Sequence, residues 1–160
     1  MANFETAVAR TLEHEGVFSN DPDDNGGATK YGISQAAYPG LDIASLTIDD
    51  AKALYRRDYW SELQLDDIAD QNIANELFDT AVNCGVHVAA EFVQEALTLF
   101  GKSIEVDGIV GPVTVAAVNR YPYPQALYKA LNGLQFEYYH DIITRHPRQK
   151  KWFRGWLKRV

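Results

Sequence analysis

Apolar residues recurring every three or four positions, cut into segments by glycine and proline, constrain this 160-residue chain more than any other feature. Ala74, Leu77, Phe78 and Ala81 form one stripe, which Gly85 can end. Ala89, Phe92, Val93, Ala96, Leu97 and Phe100 form the next, with Gly101 behind it. Pro112, after Gly111, suits the first turn of a short helix to about Asn119. Leu127, Leu131, Leu134 and Tyr138 mark a longer helix that stops before Pro147, and residues 148–158 can form a last one. Nearer the start, Phe4, Val8 and Leu12 follow a capping Asn3, with Gly16 able to end that helix. Thr47-Ile48-Asp49-Asp50 has the form of a capping box opening a helix to about Trp60. Only residues 17–33 break the pattern. Ser19 to Gly27 is crowded with Asp, Asn, Pro and Gly and reads as a loop, while Val17-Phe18 and Thr29-Tyr31-Ile33 can pair across it as a short hairpin. The expected fold class is mainly α, a single globule with a small β-hairpin near the N-terminus.

Composition narrows the class further. Hydrophobic residues at 46% can bury a real core, and no apolar run approaches the ~20 residues of a membrane-spanning helix. Residues 1–16 lack the basic flank and apolar stretch of a secretory signal, and the lone Cys84 has no partner for an internal disulfide. The charge is uneven. Residues 145–160 hold seven basic residues and no acid, so the rest of the chain sets eight basic residues against all 22 acids, a net −14. Such a body repels nucleic acid, whose binding rests on neutralising phosphates. Only the tail, where Trp152, Phe153, Trp156 and Leu157 fall among Lys and Arg, suits an anionic surface. A terminal helix docking these aromatics on the core is the commoner use of such a pattern.

One carboxylate stands apart. Glu15 lies eleven residues after Phe4 and seven after Val8, which at ~100° per residue returns it to the apolar face. Glu13 falls on the opposite face. A carboxyl at the end of an apolar stripe is partly desolvated, which raises its pKa and suits a general acid. A charged helix end in water is the plain alternative. A loop rich in carboxylates follows, and it delivers the Thr29 hydroxyl on the next strand. A second carboxylate and a hydroxyl across a cleft can hold a water.

Here the chain resembles glycoside hydrolase family 108. The likeness rests on Glu15-Gly16, Asp21-Pro22 and the run Asp24-Asn25-Gly26-Gly27-Ala28-Thr29-Lys30-Tyr31-Gly32-Ile33-Ser34. It continues through Tyr55-Arg56-Arg57-Asp58-Tyr59-Trp60 and Phe78-Asp79-Thr80-Ala81-Val82-Asn83-Cys84-Gly85. The segment from Phe92 through Val106-Asp107-Gly108-Ile109-Val110-Gly111-Pro112 is similar to the peptidoglycan-binding segment that usually follows. The resemblance implies a lysozyme-like N-acetylmuramidase of the phage endolysin type, causing bacterial lysis. It also implies that Glu15 is the general acid, with Asp24 and Thr29 as its loop partners. The order is also similar to the T4-type phage lysozyme motif E-x8-D-x5-T; this chain reads E-x8-D-x4-T, so Thr29 is the looser match. Val17 and Asn25 depart from the family's usual glycine and proline. The expected layout is one domain over 1–160, with a catalytic half at 1–87 and a helical peptidoglycan-binding half at 88–160.

Other chemistries fit less well. Asp21, Asp23, Asn25 and Gly26 match the start of a calcium loop, but Gly32 stands where the closing glutamate belongs. The four histidines show no zinc spacing, and there is no nucleophile elbow or phosphate loop. No cofactor or metal is expected. Tyr31, Trp60 and Asn83 are candidate substrate contacts, each with a structural alternative: core packing for Trp60, helix capping for Asn83. The expected activity is inverting hydrolysis of the MurNAc–GlcNAc bond, with a lytic transglycosylase or a non-catalytic wall-binding or secretion-linked protein as the alternatives. The expected partner is peptidoglycan, met by a monomer made in the cytoplasm and released to the wall through a pore or another export route.

Overall fold

The computed structural model describes the backbone of residues 1–14, 18–19 and 28–160, and the side chains of 1–12 and 28–160. Helix α1 (Phe4–His14) starts at Asn3, whose Oδ1 accepts from the Thr6 backbone N–H at 3.0 Å. Three two-residue strands follow, β1 (Phe18–Ser19), β2 (Thr29–Lys30) and β3 (Ile33–Ser34), antiparallel in chain order. The sequence pattern had placed Thr29, Tyr31 and Ile33 on one strand. Instead Tyr31 and Gly32, at φ 53° and 77°, turn the chain between β2 and β3 so that Lys30 faces Ile33. Positive φ at both central positions is the twist a two-residue hairpin turn needs, and Gly32 supplies half of it without steric cost.

Helix α2 (Ile48–Tyr55) opens on the reciprocal capping box of Thr47 and Asp50 and runs on through a π-helical turn, Arg56–Trp60. Helices α3 (Gln71–Cys84) and α4 (Val86–Leu99) are separated by Gly85 alone, whose φ of 100° breaks the helical path. Helix α5 (Pro112–Asn119) starts at its proline, α6 (Pro124–Arg145) ends before Pro147, and α7 (Lys150–Trp156) closes the chain. The fold is mainly α and lysozyme-like, as expected. Among the described residues no helix is long and apolar enough to cross a membrane.

Among the described residues the buried apolar side chains, Tyr139 and Ile143 aside, form one cluster that draws on α1 to α6. At its centre Trp60 is fully buried, with Phe4 and Phe78 packed edge-on at ring distances of 5.5 and 5.8 Å. Tyr55 meets Phe78 at 6.0 Å and donates its hydroxyl to the Tyr31 carbonyl at 3.0 Å. This aromatic cluster therefore fixes α1, α2 and α3 together and ties the β2–β3 turn to them. Edge-to-face pairs add about 0.5–1.5 kcal/mol each beyond their buried area. The basic tail docks as a terminal helix does. Trp156 stacks on Tyr139 at 5.2 Å, and Phe153 lies 6.2 Å from Phe136. Trp152 stays 58% exposed, with Lys151 over its ring.

Candidate active site

Glu15 and Asp24 lie outside the described residues, so the site is built from what flanks them. Helix α1 precedes Glu15 in the chain, and Asp24 falls between β1 and β2, the strand that begins at Thr29. Thr29 is half-buried in the middle strand, opposite Ser19 on one side and Ser34 on the other. Tyr31 follows in the turn, its carbonyl held by Tyr55 and its half-buried ring 5.6 Å from the Lys30 ammonium. Both residues are thus fixed to the aromatic core beside α1.

Trp60 does not join them. With no exposed surface and Phe4 and Phe78 against it, its ring cannot stack on a sugar, so it is a core residue. It is the last residue of the π-helical turn that continues α2. Asn83 is exposed on α3 and does not cap it. Its amide donates back to the Asp79 carbonyl at 2.7 Å and to the Asp79 carboxylate at 3.2 Å.

Asp79 is a junction that the sequence pattern did not single out. Arg159, eighty residues further on, donates to its Oδ1 at 2.7 Å, with both side chains mostly buried. The chain's last basic residues are thereby brought onto α3. Beside this pair a polar cleft of about 80 Å³ opens between α1, α3, α6 and the C-terminal residues. Ala7, Arg10 and Thr11 line it from α1, Asn72, Asn75, Glu76 and Asp79 from α3, Tyr128 from α6, and Lys158 and Arg159 from the tail.

Glu76 is the cleft's most unusual group. Only 5% exposed, it has its pKa pushed up to about 8 by burial first and by the Asp79 charge second. A hydrogen bond from Asn132 and the charge of Arg10 oppose the shift. The sequence carried a signal for it. Glu76 is the acid three residues after Ile73 and four before Thr80, within the arc that α3 buries. Further along the same seam Gln135 donates to Thr80 at 3.3 Å. Burial there pushes the Cys84 thiol up to about 11, which leaves it a poor nucleophile. Among the described residues no three His, Cys, Asp or Glu side chains converge to hold a metal.

A stability prediction follows from the direction of the Glu76 shift. Between the ordinary carboxyl value and about 8, the folded chain holds a proton that the unfolded chain has lost. Stability therefore falls as pH rises through that window and levels off above it. Glu76→Gln is neutral throughout. It should exceed the parent at about pH 8–9 by at least ~1 kcal/mol, or roughly 2–4 °C in Tm, with the gap closing toward about pH 5. Thermal melts of both proteins across that range check this; a gap independent of pH would show that Glu76 titrates normally.

Comparison with known proteins agrees with this architecture. The family model described as glycosyl hydrolase 108 matches residues 8–85, and the one described as predicted peptidoglycan domain matches residues 88–160. The solved structure of Brucella abortus SagA is similar over 98% of this chain and 88% of that one, with a TM-score of 0.79 and 24% sequence identity. No curated protein sequence matches the chain. The first model spans α1, the sheet, α2 and α3; the second spans α4 to α7. The chain thus pairs a glycosyl hydrolase 108 segment with a predicted peptidoglycan domain, and the two together support a glycoside hydrolase acting on peptidoglycan.

Proposed function

We propose that the protein is an N-acetylmuramidase that hydrolyses the β-1,4 bond between MurNAc and GlcNAc and so lyses bacteria. Glu15 protonates the leaving oxygen as charge builds toward an oxocarbenium-like state. Asp24, with Thr29, holds the attacking water on the opposite face of the sugar and gives inversion. Tyr31 and Asn83 flank the site as substrate contacts. The observation that carries this reading is the common anchoring of α1 and β2. Helix α1, which precedes Glu15 in the chain, and the β2–β3 turn, which follows Thr29, are tied to one aromatic core, through Phe4 on one side and the Tyr55–Tyr31 hydrogen bond on the other.

The two halves act as one domain, since the hydrophobic cluster crosses the boundary between them. The protein acts as a monomer of the endolysin type, made in the bacterial cytoplasm and reaching the wall through a pore or another export route. Lys150, Lys151 and Arg154 are exposed on α7 and supply a basic face for an anionic wall or outer-membrane surface. Arg159 is engaged with Asp79 instead.

Three acids crowd the loop, and their single variants test the assignment. Asp24→Asn should cost far more activity than Asp23→Asn, measured as reducing ends released from purified walls. Asp21, placed before Pro22, suits a turn, so Asp21→Asn should mainly lower the melting temperature. A dead Asp23→Asn beside an active Asp24→Asn would move the catalytic register by one residue, making the spacing to Thr29 x5. Walls that bind the protein yet release no reducing ends would mean a binding module in place of an enzyme.

A further inference from the structure

We propose that the cleft between α1, α3, α6 and the chain's last residues is a subsite for the zwitterionic end of a peptide stem, its ammonium on Glu76 and its carboxylate on Arg10 and Lys158. This rests on peptidoglycan being the substrate. Its glycan strands carry peptide stems, and a diamino acid in such a stem keeps a free ammonium and a free carboxylate on one carbon until it is cross-linked.

Two carboxylates line the cleft, and they differ in one respect. Asp79 is matched by Arg159 at 2.7 Å. Glu76 is 95% buried by its 5% exposure, and its Oε1 accepts no hydrogen bond from the described residues. A buried carboxylate oxygen without a donor is costly. An ammonium supplies three N–H donors to that oxygen, and its charge displaces the proton that burial keeps on Glu76. On the rim, Arg10 and Lys158 are exposed, and neither has an ion pair among the described residues. The floor therefore offers an unmatched acceptor and the rim two cations across one small space. Its volume, about 80 Å³, equals roughly two to three waters. That suits the head of one amino acid. The cleft also meets the last turns of α1, the helix that precedes Glu15 in the chain.

The test is an NMR titration of the full chain with 2,6-diaminopimelate, set against pimelate, which lacks the ammonium groups, and against sodium chloride. Amide signals of residues 75–79 should shift with the diamino acid alone. Glu76→Gln and Arg10→Ala should each weaken that binding at least about tenfold, the scale of one charge-assisted hydrogen bond. Lys158→Ala, at an exposed site where folding is not at risk, should weaken it as well. No shift in the parent protein, equal shifts with pimelate or sodium chloride, or unchanged binding in all three variants would overturn the proposal. These outcomes do not depend on catalysis. Walls cleaved without diamino acid binding would refute the subsite and leave the muramidase standing, and binding without cleavage would do the reverse.

Discussion

Glu15→Gln is expected to cut wall lysis by about 10²–10⁴-fold, the scale of general acid catalysis, with the fold intact. The argument begins with periodicity. Phe4, Ala7 and Val8 are buried along α1, and Glu15 falls in phase with Phe4 and Val8. Glutamine keeps the size and hydrogen bonding of the side chain but has no proton to give the leaving oxygen. Glu13→Gln, in the opposite phase, is the control and should stay active. Initial rates on purified walls, with circular dichroism to verify folding, decide the matter; near-normal lysis by Glu15→Gln would sink the mechanism.

Trp60→Ala should instead act on stability, costing about 3–5 kcal/mol. At roughly 2–4 °C per kcal/mol for a chain of this size, the melting temperature should fall by roughly 6–20 °C. The ring is fully buried, and its loss empties the space between Phe4 and Phe78. Because these rings join α1 to α3, activity should fall with the fold and recover when the assay is cooled. Trp60→Phe should cost much less. It keeps most of the packing and removes the Trp60 Nε1–H, which has no hydrogen-bond partner among the described residues. A sugar-stacking tryptophan would give the opposite pattern, with KM raised and the melting temperature unchanged.

The contrast between Trp60 and its neighbours shows which features a sequence can reveal. The capping box at Thr47, the proline that opens α5 and the glycine that splits α3 from α4 were all legible. Each is set by backbone chemistry within four residues. The hairpin was legible only in part. Alternation placed Tyr31 on a strand, yet the positive φ that turns the chain there depends on Gly32 and on the Tyr55 hydroxyl reaching from α2. Trp60 showed no preference between core and cleft, since a large aromatic residue serves either and only the packing of Phe4 and Phe78 around it, from two other helices, shows which. Asp79 was visible as part of a family motif, but its partner Arg159 lies eighty residues away and is brought to it by the docking of α7 on α6. Glu76 sat in plain sight on the buried arc of α3, marked by its phase alone. The two residues expected to carry the chemistry, Glu15 and Asp24, were legible as a motif and lie outside the described structure.

The most direct test is mass spectrometry of the borohydride-reduced fragments released from purified peptidoglycan by the full-length protein. Muramidase hydrolysis predicts disaccharide-peptides that end in reduced N-acetylmuramic acid, formed by the parent protein and absent with Glu15→Gln. Fragments ending in 1,6-anhydro-muramic acid would contradict hydrolysis and mark a lytic transglycosylase, in which Glu15 acts without a held water. Fragments ending in reduced N-acetylglucosamine would contradict the assigned bond.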